Sequence, residues 1–514
     1  MNLSQHIDSP LYRAIQREAE HLGVEVYVIG GFVRDLLLGR PNTDIDLVAN
    51  TKGLELAQAC AKALGIKKVD IFKTYGTAHF RYKQLDIEFV NARKESYSRE
   101  SRKPDVEQGT LEDDQNRRDF TINALAISLQ AHNFGEVIDP FHGLADLENK
   151  ILRTPLDPDI TYSDDPLRMM RAVRFANQLH FRIEEESFQA IKRNTERLNI
   201  VSMERITTEL NKIISCQKPS IGFKILFDTG LLHRFFPEMV KLHGVEKRNG
   251  IAHKDNFYHT LQVLDNLCEH SENLWLRWSA ILHDIAKPPT KRFEEGIGWT
   301  FHGHEDLGAR MVPKIFASLK LPLDHQMKFV QKMVLLHLRP IALTKEEISD
   351  SAIRRLLFET GDDIDDLMKL CRADITSKNE SKVQRYLANY DIVIQKLIEI
   401  EEKDRIRNFQ PPITGEDIKR IFNLPPSREI GIIKNAIKDA ILDGVIRNDY
   451  DEAYALMMQE ATKLGVKGEG RGAKGEGRRA TWAERSRGQG EEFRMVLTHC
   501  FPSRQSPRFQ SWGC

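Results

Sequence analysis

The chain has 514 residues, with 75 Lys and Arg balanced by 75 Asp and Glu. It is too long for one hydrophobic core and, at 41% hydrophobic residues, too apolar for wholesale disorder. The zero net charge excludes a global basic field, so any nucleic-acid partner must be held by locally gathered cations. Six dispersed cysteines without a C-x-x-C pair, and no run of about 18 apolar residues, predict a soluble cytoplasmic protein without a membrane partner.

Residues up to about 145 alternate between helix and strand signals. A first amphipathic helix ends at Gly23, and a second helical segment, LELAQACAKALG, ends at Gly65. Strands are predicted for VEVYVIG, TDIDLVAN, KKVDIF, TAHFRYK and LDIEFVNA. We therefore expect a small α+β domain with a mixed or antiparallel sheet. Residues 94–116 are polar and without period, which predicts a long loop that is either disordered or functional.

The remainder of the chain is predicted to be helical as far as residue 465. Segments such as LRMMRAVRFANQL and MERITTELNKIIS have the spacing of amphipathic helices. From residue 466 to residue 514, a region that contains GEGRGAKGEGRRA, the sequence has no hydrophobic period. We expect 466–514 to be a disordered, mildly basic tail.

The strand DIDLV places two aspartates on one face. Asp44 and Asp46 are separated by one residue, so their side chains point the same way, about 7 Å apart along the backbone. Two convergent carboxylates can hold Mg²⁺ beside a nucleotide phosphate. Asp86 and Glu88 share a face of a later strand, and either can supply a third carboxylate. The alternative is a solvent-facing strand, where D-x-D is common.

A glycine turn precedes these aspartates. Gly30 and Gly31 end one strand and open a helix, whose free N–H groups and positive end favour an anion. Arg34 lies near the start of that helix and can reach the same anion. The turn, the arginine and the D-x-D strand together predict a site for a triphosphate and a metal.

These segments resemble a known family. IGGFVRDLLLG and TDIDLV, followed by RRDFTINALA, IDPFHGLADL and DDPLRMMRAVRFANQLHF, are similar to the class II tRNA nucleotidyltransferases and bacterial poly(A) polymerases. The resemblance covers about residues 20–215. It implies a polymerase-β-like nucleotidyltransferase head followed by an all-α neck.

The resemblance also implies roles for individual residues. Asp44 and Asp46 would bind catalytic Mg²⁺, with Glu88 as a third catalytic carboxylate. The nucleotide would be contacted at its triphosphate by the glycine turn and Arg34, at its sugar by the RRDF segment, and at its base by a pair on the neck. The matching positions are Gly30, Gly31, Arg34, Arg118, Asp119, Asp165, Arg168, Arg171 and Arg174.

The arginines of the neck fall on one helical ridge. Arg168, Arg171 and Arg174 have i, i+3, i+6 spacing, so their like charges favour an anionic ligand as compensator. An ordinary solvated face is the alternative. Asp165 stands beside Pro166 at a helix start, so helix capping is its alternative role.

A second set of possible metal ligands lies in the helical half. HDIAKP, together with an earlier histidine and a distant aspartate, resembles the HD superfamily of metal-dependent phosphohydrolases. The mixed N/O ligands suit Mg²⁺, Mn²⁺, Ni²⁺ or Fe. The predicted ligands are His259, His283, Asp284 and Asp374, with His304 and His337 as second candidates for a binuclear arrangement or a phosphate contact. His302 is expected to be structural.

The sequence thus predicts a multidomain chain. The expected division is a palm (1–145), a helical neck binding nucleotide base and RNA (146–218), an HD domain (219–385), C-terminal RNA-binding helices (386–465) and the tail (466–514). The lysines and arginines of residues 413–444 are compatible with phosphate contacts and equally with an ordinary solvated helix face. They are Lys419, Arg420, Arg428, Lys434 and Lys438.

Three functions are compatible with these features. The first is a template-independent tRNA nucleotidyltransferase that adds or repairs the 3′-terminal CCA from CTP and ATP, with tRNA 3′ ends as partner and a possible HD phosphohydrolase activity. The second is a poly(A) polymerase of the same family. The third is an HD phosphohydrolase with a non-catalytic RNA-binding head. The resemblance implies that loop 94–116 corresponds to the mobile loop of CCA-adding members, which favours complete CCA addition over CC-only addition. The sequence leaves the oligomeric state open.

Overall fold

The computed structural model describes residues 1–73, 76–98, 101–343, 349–376, 379–404 and 409–466. Two compact units divide the chain: residues 1–244 with 316–321, and residues 245–315 with those from 322 onward. Apart from Val466, the predicted tail lies outside the described residues. The five-part division expected from the sequence has different boundaries, since its HD domain begins at 219 whereas the second unit begins at 245, and it stays a prediction.

The first unit is built on a seven-stranded mixed sheet of order β3-β4-β5-β2-β1-β8-β9. Strands β2 and β5 are parallel, and every other neighbouring pair in the sheet is antiparallel. Of the two sheet types expected from the sequence, mixed and antiparallel, the structure has the mixed one. The strands of this unit are β1 (Val26–Ile29), β2 (Asp44–Ala49), β3 (Asp70–Phe72), β4 (Thr77–Tyr82), β5 (Leu85–Asn91), β6 (Arg93–Ser98), β7 (Ser101–Gln108), β8 (Ala126–Ser128), β9 (Val137–Ile138), β10 (Ile151–Leu152) and β11 (Arg182–Ile183).

Helices of the first unit pack on this sheet, and the part of the unit that follows the sheet is mainly helical. Gly23 and Gly65 both have positive φ, as expected for glycines that end helices. The helices are α1 (Ser4–Ile7), α2 (Pro10–Leu22), α3 (Gly31–Leu37), α4 (Gly53–Ala63), α5 (Leu111–Asn116), α6 (Gly143–Glu148), α7 (Pro158–Asp164), α8 (Leu167–Leu179), α9 (Glu185–Asn194), α10 (Met203–Ile214), α11 (Pro219–Asp228), α12 (Leu231–Phe235) and α13 (Pro237–Val240).

The segment 94–116 was wrongly predicted as a long loop. Strands β6 and β7 pair antiparallel as a hairpin of their own, and α5 follows. Thr110 and Asp113 form a capping box at the start of α5, each side chain accepting a backbone N–H of the other residue. The residues of β6 and β7 are mostly polar, so their sequence shows no period-2 alternation that would have indicated strands.

The second unit is mainly helical, as predicted, but four short strands were missed. Its elements are β12 (Lys247–Arg248), β13 (Ile251–Ala252), α14 (Asn256–Cys268), α15 (Leu274–Leu282), α16 (Lys287–Thr290), β14 (Arg292–Glu294), β15 (Gly298–Thr300), α17 (His304–Ser318), α18 (His325–Leu336), α19 (Arg339–Leu343), α20 (Asp350–Thr360), α21 (Ile364–Asp374), α22 (Glu380–Asp404), α23 (Gly415–Phe422), α24 (Arg428–Leu442) and α25 (Tyr450–Lys463). Two or three residues per strand are too few for period-2 alternation to show.

Candidate nucleotide and metal sites

Four acidic residues meet across the two parallel strands of the sheet. Asp44 of β2 is the register partner of Asp86 of β5, and Asp46 is the partner of Glu88. Burial, then the neighbouring charges of Asp44 and Asp114, raise the pKa of Asp46, and the Arg118 guanidinium opposes them. Burial and Asp46 likewise raise the pKa of Glu88. This face concentrates negative charge that a bound cation would compensate.

The glycine turn lies against the same carboxylates. Gly30 has φ +83°, and a Cβ at this position would stand 2.7 Å from Arg118 Nη1 and 3.5 Å from Asp46 Oδ2. Glycine is therefore required here both by the backbone conformation and by the close approach of two functional side chains.

Arg34 is buried beside the turn rather than free. Its Nε and Nη2 donate to the two carboxylate oxygens of Asp35 at 2.9 and 2.8 Å, and its Nη1 donates to Asn123 Oδ1 at 2.8 Å. Its charge is thus already compensated by the adjacent residue, a partner that the sequence reasoning overlooked. The predicted triphosphate contact by Arg34 stays a prediction.

The RRDF segment turns its charged side chains in two directions. Arg118 donates to Asp114 Oδ2 at 2.9 Å, and Arg117 Nε donates to Asp114 Oδ1 at 2.9 Å. Asp114 is fully buried, and although burial opposes ionisation, the two guanidinium groups lower its pKa. The carboxylate therefore holds Arg118 beside Asp46. Sequence reasoning missed Asp114, which lies in the segment taken for a loop.

Asp119 faces helix α8 instead. It accepts hydrogen bonds from Arg171 Nε at 2.7 Å and from Asn123 Nδ2 at 2.9 Å. Burial opposes ionisation, but the Arg171 charge and these hydrogen bonds lower the pKa of Asp119 to about 2. Asp119 and Arg171 thus join the palm to the predicted base-reading helix.

The three arginines of α8 are each bound by a different part of the first unit. Arg168 Nη2 donates to the Arg117 carbonyl at 2.6 Å, whereas Arg171 pairs with Asp119. Arg174 Nε donates to Glu209 of α10 at 2.6 Å. The protein's own carboxylates therefore neutralise two of the three arginine charges. The ridge spacing had predicted that an anionic ligand would do so.

The Asp165 carboxylate stands between α8 and α10. Its Oδ1 accepts from the Leu167 N–H at 3.3 Å, in keeping with the predicted capping alternative. Its Oδ2 lies 3.7 Å from Arg205 Nη2 of α10. Arg205 and Glu209, four residues apart, thus hold residues at both ends of the predicted nucleotide-binding ridge. Neither was identified from the sequence.

Replacing Arg171 with alanine is expected to destabilise the first unit. The change would leave Asp119 ionised and buried with only uncharged hydrogen-bond donors. We expect a loss of about 1–3 kcal/mol in the free energy of unfolding, discounted because 35% of the Arg171 side chain is exposed. Since the folded-state pKa of Asp119 is depressed, the stability that the pair contributes is present above about pH 4 and is lost as the pH falls towards 2.

Denaturant unfolding of wild type, Arg171→Ala, Asp119→Asn and the double variant at pH 7 measures this pair. A coupling energy within error of zero would contradict the ion-pair interpretation.

In the second unit, the predicted ligands meet in one buried place. His259 Nε2 lies 3.0 Å from Asp374 Oδ1 and 3.4 Å from Asp284 Oδ2. His283 Nε2 lies 3.2 Å from Asp284 Oδ2. On the other side, His304 Nε2 is 3.3 Å from both Asp284 Oδ1 and His337 Nε2.

Two groups able to hold a metal ion share one aspartate. Within the described part of the chain these are His259, His283 and Asp284, and Asp284, His304 and His337. The carboxylates of the sheet do not form such a group within the described residues. His302 keeps 85% of its side-chain surface exposed and lies outside both groups.

The histidines are oriented with Nε2 inward. Nδ1 of His283, His304 and His337 hydrogen-bonds to a backbone carbonyl at 2.7–2.8 Å, and Nδ1 of His259 to Thr376 Oγ1 at 3.0 Å. A carbonyl partner fixes the proton on Nδ1 and leaves the Nε2 lone pair for a metal. His283 Nε2 and Asp284 Oδ2 are buried and make no hydrogen bond of good geometry; they face each other at 3.2 Å, and Lys287 Nζ is 2.6 Å from Asp284 Oδ2. A bound cation would satisfy both atoms.

The electrostatics of this cluster also favour a cation. Burial alone would lower the pKa of His283, yet Asp284 and Asp374 raise it to about 10. Burial and the neighbouring His283 lower the pKa of His337 to about 4. Lys287, the lysine of the HDIAKP motif, to which the sequence gave no role, places Nζ 2.6 Å from Asp284 Oδ2. The carboxylates of Asp284 and Asp374 are thus paired with the neighbouring positively charged side chains. A divalent metal ion suits this set of nitrogen and oxygen donors.

Two further predictions can be placed. Arg420 pairs with Asp417 at 2.9 Å and Lys419 lies 3.9 Å from Glu416, so these cations have neighbours on their own helix. None of the described helices has the length and apolarity needed to span a bilayer.

Known families match three parts of the chain. The poly(A) polymerase head domain matches residues 26–153, the probable RNA and SrmB-binding site of polymerase A matches 180–242, and the HD domain matches 256–377. The fold and these matches define a nucleotidyltransferase head followed by an HD domain.

Individual relatives agree. The chain is 33% identical to the multifunctional CCA protein of Pseudomonas paraeruginosa over 59% of this chain and 72% of the relative. It is 41% identical to the A-adding tRNA nucleotidyltransferase of Aquifex aeolicus over 33% of this chain, but only 20% of that relative's length is spanned. The structure of the Bacillus stearothermophilus CCA-adding enzyme in complex with CTP shares the fold, at 21% identity and a TM-score of 0.61 over 89% of this chain and 99% of that one. The chain belongs to the family of CCA-adding tRNA nucleotidyltransferases.

Proposed function

We propose that the chain adds or repairs the 3′-terminal CCA of tRNA, using CTP and ATP and releasing pyrophosphate. The observation that carries this proposal is the continuous arrangement of the carboxylates of β2 and β5, the glycine turn, Arg118 and the arginine helix α8. Metal-ligand carboxylates and base-reading groups thus belong to one unit. Family membership supports the same activity, and a cytoplasmic location stays a prediction.

Asp44 and Asp46, with Glu88, would hold Mg²⁺, because their carboxylates share one face and because burial and the neighbouring carboxylates raise the pKa of Asp46 and of Glu88. When bound, the metal supplies activation of the RNA 3′-hydroxyl and charge stabilisation of the leaving pyrophosphate. The protein orients the reactants. The turn at Gly30 leaves room beside Asp46, and Asp114 keeps the Arg118 guanidinium there.

Base selection is assigned to Asp165 and Arg168. A carboxylate accepts a hydrogen bond from an exocyclic amine, and a guanidinium donates to a ring nitrogen or carbonyl. Cytosine and adenine each present an amine beside a ring acceptor, so one pair can accept both. Arg171 and Arg174 lie on the same ridge, and Asp119 and Glu209 keep them in place.

The second unit is proposed to be a metal-dependent phosphohydrolase. His259, His283, Asp284 and Asp374 would hold one divalent ion, and His304 and His337 would hold a second through the shared Asp284. Mg²⁺, Mn²⁺, Ni²⁺ and Fe all suit these ligands. A bound metal would supply an activated water for phosphoester hydrolysis. The carbonyl-anchored Nδ1 atoms keep the ligands oriented.

The decisive experiment separates CCA addition from its relatives. Purified protein is given a tRNA that lacks CCA, one ending in C and one ending in CC, with CTP, ATP or both, and an oligo(A) primer with ATP. We expect all three tRNAs to be completed to CCA and then to stop growing. Long A-tails without use of CTP would identify a poly(A) polymerase, and extension of only the CC end would identify an A-adding enzyme.

A further inference from the structure

Two short hairpins of the second unit carry a row of aromatic rings. Phe293 of β14 and Trp299 of β15 are register partners with centroids 5.2 Å apart. Trp299 is 5.4 Å from the His253 ring, which is 6.0 Å from the Phe301 ring. All four side chains are only partly buried. We call this row, Phe301–His253–Trp299–Phe293, the ring ladder.

The inner end of the ladder is joined to the metal-binding cluster. Lys287 Nζ lies 5.7 Å from the Phe301 centroid and 2.6 Å from Asp284 Oδ2. The Phe301 carbonyl accepts the hydrogen bond from His304 Nδ1 at 2.8 Å. A group bound along the rings would therefore lead directly to the proposed metal ligands.

Positively charged side chains lie over the rings at the outer end of the ladder, away from the metal-binding cluster. Arg248 is 4.8 Å from the Phe293 centroid and Lys291 Nζ is 5.3 Å from the Trp299 centroid. Residues 245–254 and 287–303 contain six lysines and arginines against three carboxylates, namely Lys247, Arg248, Lys254, Lys287, Lys291 and Arg292 against Glu246, Glu294 and Glu295. The surface thus combines partly exposed rings with an excess of positive charge, of which Lys291 is also paired with Glu246. This composition suits the bases and phosphates of a single strand.

We propose that the ring ladder binds the end of a single-stranded RNA, with its terminal phosphate at the metal cluster and the next nucleotides along the rings. This rests on the proposed phosphohydrolase function and specifies its substrate as a strand of more than one nucleotide. A free mononucleotide would fill only the inner end, at Lys287 and Phe301. Trp299 and Lys291 would be specificity-determining residues that do not touch the reacting phosphate.

Competition against p-nitrophenyl phosphate hydrolysis by the full metal-loaded chain tests the preference. The competitors are a 3′-phosphorylated trinucleotide and a 3′-phosphorylated mononucleotide. We expect the inhibition constant of the trinucleotide to be at least about 10-fold lower than that of the mononucleotide. Trp299→Ala should weaken trinucleotide inhibition about 5- to 100-fold and should weaken mononucleotide inhibition clearly less.

Lys291→Gln should weaken trinucleotide inhibition and reduce its salt dependence. Tyr450→Ala removes an exposed ring of α25 outside the ladder and should leave the inhibition constants of both competitors unchanged. Equal inhibition by the two competitors, or a trinucleotide constant unchanged by Trp299→Ala, would overturn the proposal.

Photo-crosslinking keeps the test independent of hydrolysis. An oligoribonucleotide carrying 4-thiouridine at its second position is cross-linked to the full chain, and the modified peptides are mapped. Cross-links within 245–254 or 287–303 would support the ladder even if no p-nitrophenyl phosphate were hydrolysed, a result that would count against the phosphohydrolase proposal alone. Cross-links confined to other parts of the chain would overturn the ladder.

Discussion

Replacing Asp44 and Asp46 together with asparagine is expected to abolish nucleotide addition. The carboxylates would hold the cation that stabilises charge in the transition state, a contribution of several kcal/mol. Several kcal/mol corresponds to a loss of about 10³-fold or more in rate. The measurement is incorporation of labelled CTP and ATP into a tRNA lacking CCA, under single-turnover conditions. Asparagine keeps the side-chain size, so the strands β2 and β5 should still pair.

Asp70→Asn is the matched control. Asp70 is another strand aspartate of the same sheet, but it lies on β3 at the sheet's edge, with β4 and β5 between it and β2. Its addition rate should stay within about twofold of wild type. Phosphohydrolase activity of the double variant should persist, since the HD ligands belong to the other unit. If the double variant still added nucleotides at a tenth of the wild-type rate, the metal assignment in the palm would be wrong.

The sequence predicted those parts of the molecule that depend on local pattern. The period-2 strands, the glycine helix ends at Gly23 and Gly65, and the shared face of Asp44 and Asp46 all derive from rules spanning a few residues. The choice between a mixed and an antiparallel sheet stayed open in the sequence, because strand pairing joins distant segments. The HD ligands were placed together from a resemblance, and the structure brings all six into contact range.

The partners that hold the site residues could not be predicted from the sequence. Asp114 fixes Arg118, Glu209 fixes Arg174 and Arg205 faces Asp165, and two of these three contacts join residues more than 30 positions apart. No local pattern encodes the two distant pairs, because the fold alone brings them together. Asp114 and Arg118 do have the i,i+4 spacing of a local pair, and they were missed because their segment was taken for a loop. The arginine ridge illustrates the consequence: charge repulsion suggested a ligand, whereas Asp119 and Glu209 already neutralise two of its members.

Replacing Asp284 with asparagine is expected to remove bound metal and phosphohydrolase activity while leaving nucleotide addition intact. Asp284 faces His259 and His283 with one oxygen and His304 with the other, so its amide would weaken both metal groups at once. Neutral asparagine also supplies one oxygen instead of two. Metal per chain after dialysis, measured by inductively coupled plasma mass spectrometry, should fall at least about 10-fold, within the range seen when ligand shells are disturbed.

Chelation gives the complementary measurement. A metal present at 100 times its Kd adds about 2.7 kcal/mol to the stability of the folded state. EDTA should therefore lower the unfolding temperature of wild type by more than that of Asp284→Asn, which keeps only the proposed Mg²⁺ site of the palm. His302→Ala, which alters a histidine of the same segment with 85% of its side chain exposed, should retain metal and respond to EDTA like wild type. Equal metal content in Asp284→Asn and wild type would show that these six residues are a buried polar cluster and not a metal centre.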